Sequence, residues 1–275
     1  MASNRLHELG LSHLALPSLN FVLLLVLMTL CSLLATYPLL LLYVDDMIIT
    51  GNDPQAISDL QHYLGQHFEM KDLGSLNYFL GLEVSRRSDG YLLSQAKYVS
   101  DLLASSGITD SNTASTPLDL NVHLTPYDGV PLEDVSLYRQ LVGSLIYLTV
   151  THPDIAYVVH IVSQLMAAPR TIHFTVVLRI LRYIKGTLGH GLQFSSQSPL
   201  ILSGYSHADW AGDPTDRRST TRYCFYLCDS LISWRSKKQS VVSRSSTESE
   251  YHALADTTAE LLWLRWLLAD MGVPQ

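Results

Sequence analysis

The stretch LLLLYVDDMIITGND, residues 39–53, places two adjacent aspartates, Asp45 and Asp46, between two short apolar segments. The segments 39–43 and 47–50 predict two strands joined by a tight acidic turn. Two neighbouring carboxylates repel each other, and bound divalent cations such as Mg²⁺ relieve that repulsion. The pair therefore suggests a metal site for phosphoryl transfer, while an ordinary acidic turn stays open as the alternative.

The run that leads into the aspartates, residues 21–44, carries no charged side chain. It is long enough to cross a bilayer core about 30 Å thick. The pair Tyr37-Pro38 interrupts it, because proline lacks the amide proton that a helix needs and disfavours a helical residue before it. We therefore expect a buried strand at the end of this run, and a membrane span through residues 21–44 remains the alternative.

Asp53 and Pro54 follow the hairpin and predict the N-cap and the first residue of a helix. Apolar spacing and turn residues predict the other elements in order. These are a hairpin at 76–85 and 91–94, a helix at 98–105, an irregular linker at 109–134, helices at 135–149, 153–166 and 171–186, strands at 200–205, 221–227 and 231–235, and a long helix at 247–271 capped by Ser245 or Ser246.

Charge distribution argues against a generally basic nucleic-acid binder, because the formal net charge is −7. The segment 217–244 is nevertheless locally cationic, with a single acidic residue, Asp229, inside it. It predicts a surface that contacts a phosphate backbone without sequence preference, and a solvated strand edge is the alternative. The cations in this segment are Arg217, Arg218, Arg222, Arg235, Lys237, Lys238 and Arg244.

Several motifs, taken in order, resemble one family. The stretch 39–53, with its YVDD motif, resembles the catalytic hairpin of reverse transcriptases in the form found in copia-type LTR retrotransposons. DLGSLNYFLGLEVSRRSDGYLLSQAKYV, YRQLVGSLIYLTVTHPDIAYVV and HFTVVLRILRYIKGT are similar to the palm-to-thumb stretch, the thumb helices and the connection of that family. GYSHADWAGD, LISWRSKKQSVVSRSSTESEYHAL and AELLWLR resemble its RNase H region.

This resemblance implies the C-terminal part of a reverse transcriptase followed by the N-terminal part of an RNase H, within a truncated and decayed Pol polyprotein. The implied fold is α+β, with a palm and thumb remnant ahead of an incomplete β-β-β-α unit. Three segments are expected: a divergent hydrophobic segment at 1–38, the reverse-transcriptase remnant at 39–195 and the partial RNase H-like domain at 196–275. The implied location is the cytoplasm or the nucleus, with a membrane as the alternative.

The resemblance also assigns roles to single residues. Asp45 and Asp46 match the metal-binding pair of the polymerase, whose third carboxylate the family places on an upstream strand. Glu248 is assigned to the RNase H metal site, where His207 stands in place of the family's aspartate. Imidazole is a poor ligand for Mg²⁺, and the alternative candidate ligand Asp209 is displaced by about 6–7 Å along the strand, which is too far for simple substitution. The resemblance also places the upstream polymerase strand before residue 1 and a further RNase H aspartate beyond Gln275, so both activities are expected to be lost.

The implied partner is an RNA–DNA hybrid, with Leu80 and Gly81 in the hairpin that grips the primer. The binding surface is expected to include Arg217, Arg218, Arg235, Lys237 and Lys238. Exposed apolar surface on an incomplete domain predicts self-association. A domesticated module that binds nucleic acid or protein is a further alternative.

Overall fold

A computed structural model describes residues 38–43, 46–108, 111–119, 122, 124–195, 200–273 and 275. Asp45 and nearly all of the predicted divergent segment lie outside the described residues, as does most of the run at 21–44. Helices and antiparallel sheets are mixed along the chain, which agrees with the predicted α+β class. Within the described ranges, no helix combines the length and the apolar character that crossing a bilayer requires.

The first unit is the acidic hairpin, which consists of β1 (Leu39–Tyr43) and β2 (Asp46–Thr50). The two strands are antiparallel, and Tyr43 pairs with Asp46 at the end that carries the acidic turn. Helix α1 (Pro54–His67) follows, and the Asp53 carboxylate accepts hydrogen bonds from two backbone amides of its first turn. The predicted strand, cap and first helical proline are confirmed here, and β2 begins one residue earlier than expected.

The central sheet has four antiparallel strands in chain order: β3 (Tyr78–Phe79), β4 (Leu82–Arg87), β5 (Gly90–Ser94) and β6 (Leu192–Ser195). The prediction of one continuous strand over 76–85 was wrong. Leu80 and Gly81 have φ values of 50° and 79°, which places a tight two-residue turn between β3 and β4. Strand β6 was not predicted, because its partner β5 lies about a hundred residues earlier in the chain.

Between β5 and β6 the chain builds the helical layer. Its four helices are α2 (Ala96–Ser105), α3 (Ser136–Leu148), α4 (Ala156–Gln164) and α5 (Thr171–Gly186). A short 3₁₀ turn (Pro153–Ile155) precedes α4, so the helix predicted over 153–166 is divided. The four helices share one apolar core, in which the fully buried side chains include Val99, Leu145, Val162, Ile180 and Leu181.

The C-terminal unit contains β7 (Leu202–Ala208), β8 (Thr220–Leu227), β9 (Ser230–Lys238) and the long helix α6 (Ser246–Asp270). The strands are antiparallel in the order β7-β8-β9, and α6 packs on one face of this sheet. The Ser245 hydroxyl accepts a hydrogen bond from the Glu248 amide, as the predicted cap requires. Strand β7 begins and ends later than predicted, which brings His207 into the strand.

The second face of the C-terminal sheet lies against the helical layer. The Trp234 indole donates to the Thr149 carbonyl (3.0 Å), and the Arg222 guanidinium lies 3.9 Å from the centre of the Tyr157 ring. The Lys238 backbone amide donates to His160 Nε2 at 3.1 Å. Because alternate residues of a strand point to opposite faces, these side chains contact the helical layer while their neighbours face α6.

Acid should weaken this contact through His160. Burial lowers the pKa of its imidazole, and the nearby cations Lys238, Arg235 and Arg222 lower it further. The unfolded chain therefore binds more protons below the usual histidine pKa of about 6.5, so stability is complete above that pH and falls as the pH drops toward the lowered pKa. Urea unfolding across this window should show the loss.

The variant His160→Gln should show a weaker dependence of unfolding free energy on pH than the wild type. Burial also lowers the pKa of His152, so part of the dependence should remain. His62→Gln, at an exposed position of α1, is the matched control and should leave the dependence unchanged. If the pH dependence of the unfolding free energy is the same in His160→Gln as in the wild type, the role assigned to His160 is wrong.

Candidate functional site

The acidic hairpin ends in an exposed carboxylate, Asp46, next to Tyr43 on the opposite strand. Its neighbour Asp45 is not among the described residues. In the ranges that the structure describes, no three histidine, cysteine, aspartate or glutamate side chains cluster closely enough to hold a metal ion. The described part of the hairpin therefore offers one carboxylate of the predicted metal pair.

The β3–β4 turn lies beside this hairpin. Phe79 is buried, and its ring meets the Tyr43 ring edge-on with centroids 6.2 Å apart. On the other side, the Tyr147 hydroxyl of α3 donates a hydrogen bond to the Leu80 carbonyl. The structure thus brings together two regions that the sequence places separately, the acidic hairpin and the turn at Leu80 and Gly81. The contact of Tyr147 with this turn could not be predicted, because the apolar spacing of a helix carries no information about a partner 67 residues away.

Position 207 faces a carboxylate of α6. The exposed His207 imidazole places Nδ1 3.0 Å from Glu250 Oε1, and Glu250 Oε2 accepts from the Ala208 amide at 3.2 Å. Glu248, the residue predicted for this role, instead accepts from the Arg244 amide at 2.8 Å at the start of the helix. The structure therefore pairs position 207 with Glu250. The sequence could not distinguish Glu250 from Glu248, because both lie in the first turns of α6 and the packing of the helix on β7 decides which one faces position 207.

Asp209 does not join this pair. Its Oδ1 accepts from the Thr220 amide at 2.7 Å, and its Oδ2 lies 3.6 Å from the Arg222 guanidinium. The side chain thus holds the loop between β7 and β8. The donors at position 207 are consequently one imidazole and one carboxylate, a set that does not fit Mg²⁺, which prefers several hard oxygen ligands.

The predicted cationic surface divides into paired and exposed side chains. Lys238 Nζ contacts Asp213 at 2.5 Å and Asp216 at 2.8 Å. Burial by itself would lower the pKa of Lys238, but hydrogen bonds to these two carboxylates outweigh it and raise the pKa. Arg218 lies 3.7 Å from Asp216. The exposed cations of the predicted set are Arg217, Arg235, Lys237 and Arg244.

A cavity of about 110 Å³ opens between the C-terminal sheet and α6, beside Arg235 and Lys237. Two acidic residues of the helix, Asp256 and Glu260, line the same space. Glu260 is buried, and its Oε1 accepts from the Ser233 hydroxyl at 2.9 Å. Burial raises the pKa of the Glu260 carboxyl. The Ser233 hydrogen bond and the positive charge of Arg235 partly oppose this effect of burial.

Comparison with known proteins identifies related sequences. The family model described as reverse transcriptase (RNA-dependent DNA polymerase) matches residues 35–120. The Retrovirus-related Pol polyprotein from transposon RE1 of Arabidopsis thaliana is 45% identical over 85% of this chain and 16% of its own length. The corresponding polyprotein from transposon TNT 1-94 of Nicotiana tabacum is 40% identical over 86% of this chain and 18% of its own length. No solved structure matches significantly.

A shorter relative is matched almost completely. An uncharacterized mitochondrial protein of Arabidopsis thaliana is 45% identical over 82% of this chain and 93% of its own length. The chain spans only about one sixth of the RE1 polyprotein that it matches, at 16% of its length. Sequence identity at this level, over most of the chain, establishes common descent. The chain belongs to the family of copia-type retrotransposon Pol polyproteins and carries part of their reverse transcriptase.

Proposed function

We propose that this chain is a part of a Pol polyprotein that holds an RNA–DNA hybrid for RNA-directed DNA synthesis. The acidic hairpin and the central sheet would form the palm, the helical layer the thumb and connection, and the C-terminal unit an RNase H-like domain. The observation that carries the proposal is the contact between Tyr43 and Phe79, with ring centroids 6.2 Å apart. A polymerase needs its metal-binding carboxylates beside the surface that holds the primer end.

In this interpretation Asp45 and Asp46 would hold Mg²⁺ together with a carboxylate from elsewhere in the polyprotein. Bound Mg²⁺ would neutralise phosphate charge during phosphoryl transfer. The exposure of Asp46 at the start of β2 leaves its carboxylate within reach of a hydrated ion. Loss of polymerase activity stays a prediction.

We propose further that the RNase H-like domain does not cleave RNA. The support is local: His207 stands where the resemblance expects aspartate, and its ring contacts Glu250 at 3.0 Å. Glu250 would take the role first assigned to Glu248, because it is the α6 carboxylate that faces position 207. A site that offers one carboxylate and one imidazole lacks the oxygen donors that two Mg²⁺ ions need.

Cleavage of an RNA–DNA hybrid by the full chain should be absent with either Mg²⁺ or Mn²⁺. The reason is the missing carboxylate at position 207. Gel analysis of a hybrid with labelled RNA measures this directly. Turnover that disappears in Glu250→Ala but persists in Glu248→Ala would refute the proposed inactivity.

The variant His207→Asp should gain a response to Mg²⁺. A carboxylate placed opposite Glu250 introduces repulsion without metal and an oxygen pair that favours a bound ion. Millimolar Mg²⁺ should therefore raise the melting temperature of His207→Asp and leave that of the wild type unchanged. The matched control His207→Asn supplies no second charge and should not respond. An equal response of all three proteins would contradict the role of position 207.

Two adjacent lysines allow a matched test of hybrid binding. Lys237→Ala should weaken binding of an RNA–DNA hybrid, because the exposed Lys237 ammonium can reach phosphate. The slope of log affinity against log salt concentration should also become shallower by about one, since one fewer counterion is released. Lys238→Ala should leave affinity unchanged and lower the unfolding free energy by on the order of 1 kcal/mol, because Asp213 and Asp216 lose their partner. Fluorescence anisotropy over a salt series and urea unfolding measure the two effects. Equal binding losses in both variants would refute the assignment of Lys237 to hybrid binding and of Lys238 to stability.

A further inference from the structure

The Tyr147 side chain of α3 forms a hydrogen bond to the turn between β3 and β4. Leu80 and Gly81 both have positive φ, and the Leu80 carbonyl at the tip accepts a hydrogen bond from the Tyr147 hydroxyl. Tyr147 lies near the end of α3, so this bond joins the helical layer to a turn that otherwise has only two short strands behind it. A carbonyl at the tip of such a turn would otherwise be left to water.

The hydroxyl is held in place by its surroundings. The Tyr98 ring meets the Tyr147 ring edge-on, with centroids 4.9 Å apart and an interplanar angle of 77°. The Gln95 side chain is fully buried beside Tyr147, and its Oε1 accepts from the Thr151 hydroxyl at 2.8 Å. Burial raises the pKa of Tyr147, which keeps the phenol protonated and able to donate. The donor is therefore preorganised before anything binds to the turn.

The turn leaves no room for a side chain at Gly81. A Cβ at this position would overlap the Tyr147 hydroxyl, and the φ of 79° already favours glycine. Tyr147 and Gly81 thus form a close contact that fixes how near the turn lies to α3. This contact depends on both residues, so changes at the two positions should not be additive.

The other side of the turn contacts the acidic hairpin. Phe79, directly before Leu80, packs edge-on against Tyr43, and Tyr43 pairs across the hairpin with Asp46. A continuous series of contacts therefore runs from α3 through the turn to the end of the strand that carries Asp46. A shift of the turn away from α3 would alter the position of Phe79 against Tyr43.

We propose that Tyr147 is a positioning residue that fixes the turn at Phe79, Leu80 and Gly81 against the acidic hairpin, so that the two together hold a primer end. This inference rests on the proposed function. Tyr147 does not touch the nucleic acid. Tyr147 fixes the turn before the hybrid binds. Binding therefore does not include the entropic cost of ordering the turn.

The test compares the full chain with Tyr147→Phe, which keeps the ring and loses the donor. The probe is an RNA–DNA hybrid with a recessed DNA 3′ end, and a blunt hybrid of equal length serves as reference. Affinity for the recessed hybrid, corrected for the folded fraction, should fall roughly three- to tenfold, as expected for one hydrogen bond. Tyr98→Phe removes a hydroxyl from the neighbouring ring and should leave this affinity unchanged.

A second pair of variants tests the contact itself. Gly81→Ala should weaken binding of the recessed hybrid strongly by itself and less strongly in the Tyr147→Phe background, because the overlapping oxygen is then absent. Coupling that persists after affinity is corrected for the folded fraction is not expected if both residues matter only for general stability.

The outcomes that would overturn the proposal fall into three distinguishable classes. Wild-type protein that binds neither hybrid would reject the proposed function together with the positioning role. Wild-type binding that Tyr147→Phe leaves unchanged would reject the positioning role alone. Equal losses for recessed and blunt hybrids, or losses that disappear after correction for folding, would show that Tyr147 contributes only to general stability.

Discussion

The pairing of β5 with β6 is the contact on which the rest of the structure depends. It returns the chain to the central sheet after the whole helical layer and sets where the C-terminal unit begins. The strands approach closely at Gly90, where any side chain would overlap the Phe194 carbonyl. Because of this pairing, one apolar core extends from the acidic hairpin through the central sheet to α6, with Leu41, Phe194 and Leu264 among its buried members.

Features set by neighbouring residues could be predicted from the sequence, and features set by distant contacts could not. The Asp53 cap, the Ser245 cap and β1 depend on residues within a few positions, and all three were found. Strand β6 is only four residues long and is stabilised by a partner elsewhere in the chain. The same limit applies to Glu250: its role depends on which side of α6 meets β7, which tertiary packing decides.

In the C-terminal unit, the number of cations in the segment 217–244 overestimates how many of them are available to bind phosphate. The segment 217–244 contains one acidic residue, yet Lys238 contacts two carboxylates and Arg222 lies near a third. The partners are Asp213, Asp216 and Asp209, which lie just before the segment and fold back onto it. Paired cations of this kind stabilise the loop after β7 and are less available to phosphate, so the binding surface is smaller than the sequence suggests.

The histidine at position 207 also affects the local electrostatics of the C-terminal unit. Two facing carboxylates repel each other, and a bound cation or a shared proton relieves that repulsion. An imidazole in contact with Glu250 removes that repulsion and, when protonated, supplies the positive charge itself. The pair is exposed, so its attraction adds little stability. The same exposure would screen a repulsion between two carboxylates at these positions, so in the proposed function the residue at position 207 matters more for metal binding than for the stability of the fold.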